Sequence, residues 1–186
     1  MKRIFDVIIA VLLLIILLIP ILVIAVLVRL TSRGHVLYWS YRVGRNNSIF
    51  KMPKFRTMRI DTPAVATHIL ENPDKYLTPI GSFMRRFSLD ELPQLWSVLE
   101  GDMSFVGPRP ALYNQEDLVA LRTEKGVHKL IPGITGWAQV NGRDELTIPV
   151  KVKFDEYYLK NRSFLFDLRI LWLTLYKVIK TEGVTH

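Results

Sequence analysis

Arg85-Arg86-Phe87-Ser88-Leu89-Asp90-Glu91-Leu92-Pro93-Gln94-Leu95, followed closely by Gly107-Pro108-Arg109-Pro110, is the stretch around which the chain is organised. It sets two adjacent carboxylates at a helix start, with cations on both sides in sequence. Pro93 lacks an N–H and fits the first helical turn, where N–H groups have no intrahelical partner. That places the N-cap within Asp90–Leu92. A Ser88 cap with Glu91 three residues on would form a capping box. It would also push Pro93 to the fifth helical position, where the missing N–H matters. Asp90 or Glu91 then lies at a helix N-terminus, where free N–H groups favour anions such as phosphate. Adjacent helical residues do not share a direction. Different tasks are expected of them: one carboxylate as nucleophile, the other as ligand to a divalent cation. The bland alternative is a simple acidic helix start.

Outward from this stretch, composition sets bounds. The chain has 186 residues, with 25 Lys+Arg against 17 Asp+Glu, a formal charge of +8. Such a balance suits nucleic acid, anionic lipid or phosphorylated substrates. There is no cysteine, which excludes disulfides, thiolate metal sites and cysteine nucleophiles. No G-x-G-x-x-G, P-loop, H-E-x-x-H or G-x-S-x-G occurs, and no two aspartates stand two apart.

The hydrophobic content concentrates at the N-terminus. Val7 to Val28 is an unbroken apolar run of about 22 residues, roughly 33 Å as one straight helix. It is longer than a signal-peptide core, and no small-x-small cleavage site precedes Arg29. Pro20 interrupts it and removes the bond to Ile16. Lys2 and Arg3 precede the run, and Arg29 and Arg33 follow it, so positive charge draws both ends to one side. A helix broken at Pro20 that enters and leaves by the same face satisfies both facts; a straight single span is the alternative.

Further along, His35–Tyr41 reads as a short strand or an interfacial aromatic patch, and Arg42–Asn47 as a turn. Ile49–Arg59 is a basic strand-like stretch, either a solvated edge or a wall of cations facing phosphate. A short helix is expected near Ala64–Leu70 and another over Ser82–Phe87. Leu92–Leu99 reads as a helix stopped by Gly101. Ser104–Pro110 is expected to be irregular because of Gly107, Pro108 and Pro110. Arg109, stiffened between two prolines, suits phosphate or is a surface turn. Ala111–Lys129 reads as a helix, Ile131–Arg143 as turn, strand and turn, and Val152–Lys160 as a charged helix. Ser163–Lys180 is amphipathic: Phe164, Leu168, Leu171, Trp172, Leu175 and Val178 follow the helical period, with Asp167, Thr174 and Lys177 on another side. It is a core helix or one lying in a membrane interface.

Five motifs in order carry a resemblance over nearly the whole chain. They are Lys2-Arg3-Ile4-Phe5-Asp6, Lys54-Phe55-Arg56-Thr57-Met58, Ser88–Gln94, Gly101–Pro110 and Pro132–Arg143. The sequence resembles the bacterial sugar transferase family, specifically the small monotopic phosphoglycosyl transferases. The resemblance implies a mostly α fold with short β elements. It consists of a re-entrant membrane helix broken at Pro20 (residues 1–34) and a small cytoplasmic catalytic domain (35–186) with interfacial amphipathic helices, including 163–180. The implied reaction passes a sugar-1-phosphate from a UDP-sugar, expected to be an N-acetylated amino sugar, to undecaprenyl phosphate at the bacterial inner membrane. UMP is released, and the step opens glycoconjugate assembly. By the same resemblance Asp90 is the nucleophile and Glu91 helps hold Mg²⁺. Arg109 binds a phosphate, with Arg85 and Lys54 near it, and Asp155 is a further metal candidate. Gln139, Asn141 and Arg143 fall on the nucleotide side. Membrane lipids are implied partners, downstream glycosyltransferases would follow, and nucleic acid is not expected. Two departures from the family pattern stand out: Ile19-Pro20 where a Ser-Pro is usual, and Asn46-Asn47 where a glycine is usual.

Overall fold

The computed structural model describes residues 2–63, 72–142 and 146–180. It is mostly helical with a few short strands, as expected. The short helix expected at Ala64–Leu70 lies outside the described residues, as does Arg143.

The apolar run forms α1 (Lys2–Ile16) and α2 (Leu18–Thr31), bent by 64° between them. Neither is long and apolar enough to cross a membrane alone. Pro20 is the third residue of α2, where its missing N–H costs nothing. Its ring opposes the carbonyl four residues back, and that residue, Ile16, is where α1 stops. The break expected at Pro20 therefore falls one turn earlier, at Leu17.

Both ends of the bent pair pack on the rest of the protein. At the start of α1, Asp6 is buried and accepts hydrogen bonds from Ser104 Oγ (2.8 Å) and Phe105 N (3.2 Å). Arg3 donates to the Val98 and Leu99 carbonyls. Ala10 lies in the main apolar cluster with Leu95, Val98, Phe105 and Ile170. Towards the end of α2, Ile24 and Val28 pack with Phe55 and Met84. Ile16 and Ile19, around the break, are exposed.

An antiparallel hairpin follows, β1 (Leu37–Val43) and β2 (Ile49–Phe55), in register from Leu37 opposite Phe55 to Val43 opposite Ile49. β1 continues through Arg42 and Val43, which the sequence assigns to a turn, because both pair with β2. Asn46 and Asn47 make the reversal at positive φ, 55° and 61°, where the usual glycine is missing. Asparagine tolerates this region better than most residues.

α3 (Gly81–Arg86) leads to the acidic pair, and α4 (Gln94–Glu100) follows it, ending on Gly101 at φ 99°. Ser104–Pro110 is not wholly irregular. Ser104–Val106 forms β3, paired in parallel with β4 (Gly133–Thr135) across α5 (Glu116–Glu124). The strand stops where Gly107 and Pro108 begin. The two ladders come so close that a Cβ at Gly133 would collide with the Gly107 backbone, which explains a glycine at each position.

The single helix expected over Ala111–Lys129 is shorter. Gly126 at φ 73° separates α5 from a 3₁₀ turn at Val127–Lys129. After β4, α6 (Trp137–Val140) replaces an expected turn, pinned by Trp137 against Tyr157 and Phe166. α7 (Ile148–Asn161) begins four residues before the expected helix, since Pro149 fits its first turn.

α8 (Phe164–Lys180) packs on the main apolar cluster through Phe166, Ile170, Leu171 and Leu173 and leaves a second apolar stripe uncovered. Asp167 and Ile170 are buried, and Thr174 Oγ1 lies 2.7 Å from Thr135 Oγ1. Tyr158 donates to Asp167 Oδ1 (2.6 Å) and Lys2 Nζ to Oδ2 (2.6 Å), which compensates the buried carboxylate. The apolar stripe points outward: Leu165 is 78% exposed and Trp172 67%.

Candidate active site

The acidic pair does not open a helix. Asp90 and Glu91 occupy a 3₁₀ turn, Leu89–Glu91, and Pro93 itself stands at the N-cap of α4. Ser88 adopts the left-handed conformation (φ 54°, ψ 24°) and its side chain caps nothing, so no capping box forms. This kink turns the chain out of α3 and presents the carboxylates to β2. The anion-favouring environment read from a helix N-terminus is therefore supplied by side chains instead.

Three elements bring those cations in. Lys54, on β2, places Nζ 2.7 Å from Glu91 Oε1 and 3.8 Å from Asp90 Oδ2. Arg109, after β3, donates Nη2 to the same Glu91 Oε1 at 2.8 Å. Arg85, at the end of α3, donates Nε to Thr57 Oγ1 at 3.1 Å, and its charge acts on both carboxylates. Asp90, Glu91, Lys54, Arg85 and Arg109, gathered from across the sequence, form one site.

The environment separates the two carboxyls. Burial pushes Asp90 up from its ordinary value, and the Glu91 charge adds to this; Lys54, Arg85 and Arg109 pull back only in part. Burial acts on Glu91 in the same direction, but the charges and hydrogen bonds of Arg109 and Lys54 outweigh it and hold Glu91 well below the usual range. Two carboxyls driven apart in this way suit two roles. Glu91 is held as an anion by two cations, whereas Asp90 is the more basic and less engaged of the two carboxyls.

The Arg109 loop is braced from behind. Arg122 Nη1 donates to the Arg109 carbonyl at 2.8 Å, and Arg42 Nη1 to the Pro110 carbonyl at 3.2 Å. Arg122 directs Nε (3.0 Å) and Nη2 (2.7 Å) to Asp155 Oδ2. Asp155, 1% exposed and expected as a metal candidate, is thus tied to Arg122, which in turn holds the Arg109 backbone. Arg122 was not singled out in the sequence. Its signal is its spacing: it follows buried Leu118 by one turn, on the packed face of α5.

Of the nucleotide-side candidates, Gln139 and Asn141 bond within their own segment, and Arg143 lies outside the described residues. Gln139 donates Nε2 to the Ile134 carbonyl (3.0 Å), and among the described residues its buried Oε1 has no hydrogen-bond partner. Asn141 Nδ2 bonds the Trp137 carbonyl at 2.7 Å, closing its own helix.

Among the described residues no three acidic or histidine side chains gather as a metal cage. The donor set still fits Mg²⁺, which keeps several waters and binds through one or two carboxylates plus substrate phosphates. Glu91 Oε1 is taken by two cations, but its Oε2 and Asp90 Oδ1 accept no bond from the described residues.

A cation-flanked carboxylate pair suits phosphate chemistry. The family described as bacterial sugar transferase matches residues 1–181. The chain belongs to the bacterial sugar transferase family. Among its relatives is the uncharacterized sugar transferase EpsL of Bacillus subtilis, 42% identical over 99% of this chain and 90% of that protein. The UDP-glucose:undecaprenyl-phosphate glucose-1-phosphate transferase of Escherichia coli is 39% identical over 95% of this chain, which spans 40% of its length. The exopolysaccharide production protein ExoY of Sinorhizobium fredii is 36% identical, over 98% of this chain and 87% of that protein. This bacterial sugar transferase thus matches two relatives over most of their length and the third over less than half of its length.

Proposed function

We propose that this bacterial sugar transferase moves a sugar-1-phosphate from a UDP-sugar to undecaprenyl phosphate and releases UMP, through a covalent intermediate on Asp90. The observation that carries the reading is the unequal pair, with Asp90 raised and loosely held beside Glu91 locked between Lys54 and Arg109. The relative from E. coli bears the name of such a reaction with glucose.

A UDP-sugar carries a phosphoanhydride whose charge repels a carboxylate. Arg109, Lys54 and Arg85 offset that charge. Glu91 would hold Mg²⁺ together with the donor phosphates, and the ion would supply further neutralisation. An Asp90 oxygen attacks the phosphorus bearing the sugar. The bond to the bridging oxygen breaks, and UMP departs with the electron pair. The acyl phosphate so formed is then attacked by an oxygen of undecaprenyl phosphate. The Asp90 carboxylate is regenerated and a lipid diphosphate-sugar leaves.

Membrane placement is part of the proposal. Arms of 15 and 14 residues are about 22 and 21 Å long, and a 64° bend sets their junction roughly 11 Å from the line joining their ends. That depth suits one leaflet rather than a span of about 30 Å. Two features support it: both ends of the pair rest on the same body, and the outward stripe of α8 is apolar. The site would then lie at headgroup level on the cytoplasmic face of the inner membrane.

Names of relatives carry glucose or galactose. The N-acetylated amino sugar therefore stands as one donor to test beside UDP-glucose and UDP-galactose. The released nucleotide decides the reaction type. With undecaprenyl phosphate present, UMP is the expected product; UDP would identify transfer of the sugar alone and overturn the proposal.

A further inference from the structure

Where α2 ends, the surface carries an open, shallow cavity lined by Arg29, Gly34, His35 and Val36. Arg56 borders it. Its Nε donates to the His35 carbonyl at 2.8 Å, and its backbone N–H to the Val36 carbonyl at 2.9 Å. That anchors the guanidinium, and among the described residues its two terminal nitrogens make no hydrogen bond. Gly34, at φ 98°, makes this possible: a Cβ there would stand 2.8 Å from Ile60 Cδ1 and 3.6 Å from Arg56 Cζ. The lack of a side chain at Gly34 thus lets the Arg56 guanidinium and Ile60 lie directly against the backbone there.

Charge is uncompensated here. Among the described residues, no carboxylate pairs with Arg29, Arg33 or Arg56, whereas neighbouring Arg59 is paired with Asp61. A cluster of cations without counter-ions favours an anionic ligand. Guanidinium groups favour phosphate in particular. The surroundings are apolar on the α2 side, where Leu27 and Leu30 are exposed. A ligand that answers both features has a phosphate head and hydrocarbon tails.

We propose that this cavity is a headgroup site for an anionic phospholipid, separate from the acidic pair, with Arg29 and Arg56 gripping the phosphate and the acyl chains lying along α2. The assignment rests on the membrane placement proposed above. A lipid seated there would fix the depth of the α2 end, and through β2, which carries Lys54 one residue before Phe55 and two before Arg56, the height of the active site.

The test is native mass spectrometry of the full chain in mild detergent with phosphatidylglycerol and phosphatidylcholine in equal amounts. UMP release from UDP-sugar and undecaprenyl phosphate in detergent is followed in parallel. The wild type should retain phosphatidylglycerol preferentially. Arg29→Gln or Arg56→Gln should weaken retention about fivefold, and both together about thirtyfold. Arg59→Gln, outside the cavity, should change nothing, and UMP release should survive in every variant. Equal retention of the two lipids, or undiminished retention in the double variant, would overturn the site. Competition by water-soluble glycerol phosphate at the same concentration would reassign it to a free phosphate ligand. Stoichiometric displacement by undecaprenyl phosphate, with a raised acceptor KM in the double variant, would make it the acceptor's own site. Absence of UMP release in the wild type would fail the transferase reading alone, without bearing on lipid retention.

Discussion

Lys54 Nζ stands 2.7 Å from Glu91 Oε1 and 3.8 Å from Asp90 Oδ2, so one ammonium serves two neighbouring carboxylates unequally. Stability and activity should therefore part company at these positions. Asp90 has a folded-state pKa above its ordinary value, so ionising it works against the fold, and any stability it gives is lost as pH rises through that value. Asp90→Asn should abolish turnover while melting at or above the wild-type temperature. Glu91 has the opposite sign. Its stabilisation is present above the ordinary glutamate pKa and lost as pH falls through the depressed folded value. Glu91→Gln strands Lys54 and Arg109 and should cost about 2 kcal/mol, less than the roughly 3–5 kcal/mol of a fully buried pair because Arg109 reaches solvent. Thermal denaturation at pH 7 checks the contrast; an Asp90→Asn protein less stable than Glu91→Gln would refute it.

The same asymmetry sets a pH dependence. As a nucleophile Asp90 must be ionised, so kcat/KM for the donor should fall as pH drops through its raised pKa, above the ordinary aspartate value of 3.8. Lys54 lowers that pKa, so Lys54→Met should move the acid limb further up. A limb displaced downward in Lys54→Met would contradict the assignment of Asp90.

These relationships were only partly legible in the sequence. The acidic pair, Lys54, Arg85 and Arg109 were readable because their motifs are local and ordered. Their pairing was not, since it depends on β2 running past a 3₁₀ turn that Ser88 creates in a left-handed conformation no propensity foretells. Pro20 announced a break but not its position at Leu17, which follows from the ring meeting the Ile16 carbonyl. For α8 the period was right. What the sequence left open was which stripe faces the protein, and that is settled by Asp167 meeting Tyr158 and Lys2 from opposite ends of the chain. β3 escaped notice because three residues pair with a partner almost thirty positions away, and parallel pairing leaves no local pattern.

Arg122 and Asp155 give the third prediction. Burial raises the Asp155 pKa and Arg122 draws it back in part. Asp155→Asn leaves the Arg122 charge poorly compensated and should cost about 3 kcal/mol. Because Arg122 also holds the Arg109 carbonyl, the donor KM should rise in protein that remains folded. Arg122→Lys cannot serve both partners with one ammonium and should not restore it. Wild-type donor kinetics in folded Asp155→Asn would remove the positioning role.

A fourth concerns α8. Trp172→Ser and Leu165→Ser alter exposed side chains, so they should leave the melting temperature unchanged while weakening flotation with liposomes. Ile170→Ser, at a fully buried position, should instead lower stability by about 3 kcal/mol. Undiminished flotation of the Leu165→Ser, Trp172→Ser double variant would exclude α8 from the membrane contact.

The most direct measurement is the intact mass of the purified chain after mixing with UDP-glucose, UDP-galactose or a UDP-N-acetylated amino sugar and Mg²⁺, with no lipid acceptor. The account predicts an added mass of one sugar phosphate with the correct donor, stoichiometric UMP, and no adduct in Asp90→Asn. UMP formed only when undecaprenyl phosphate is present, with no adduct from any donor, would contradict it and leave Asp90 a ligand rather than the nucleophile.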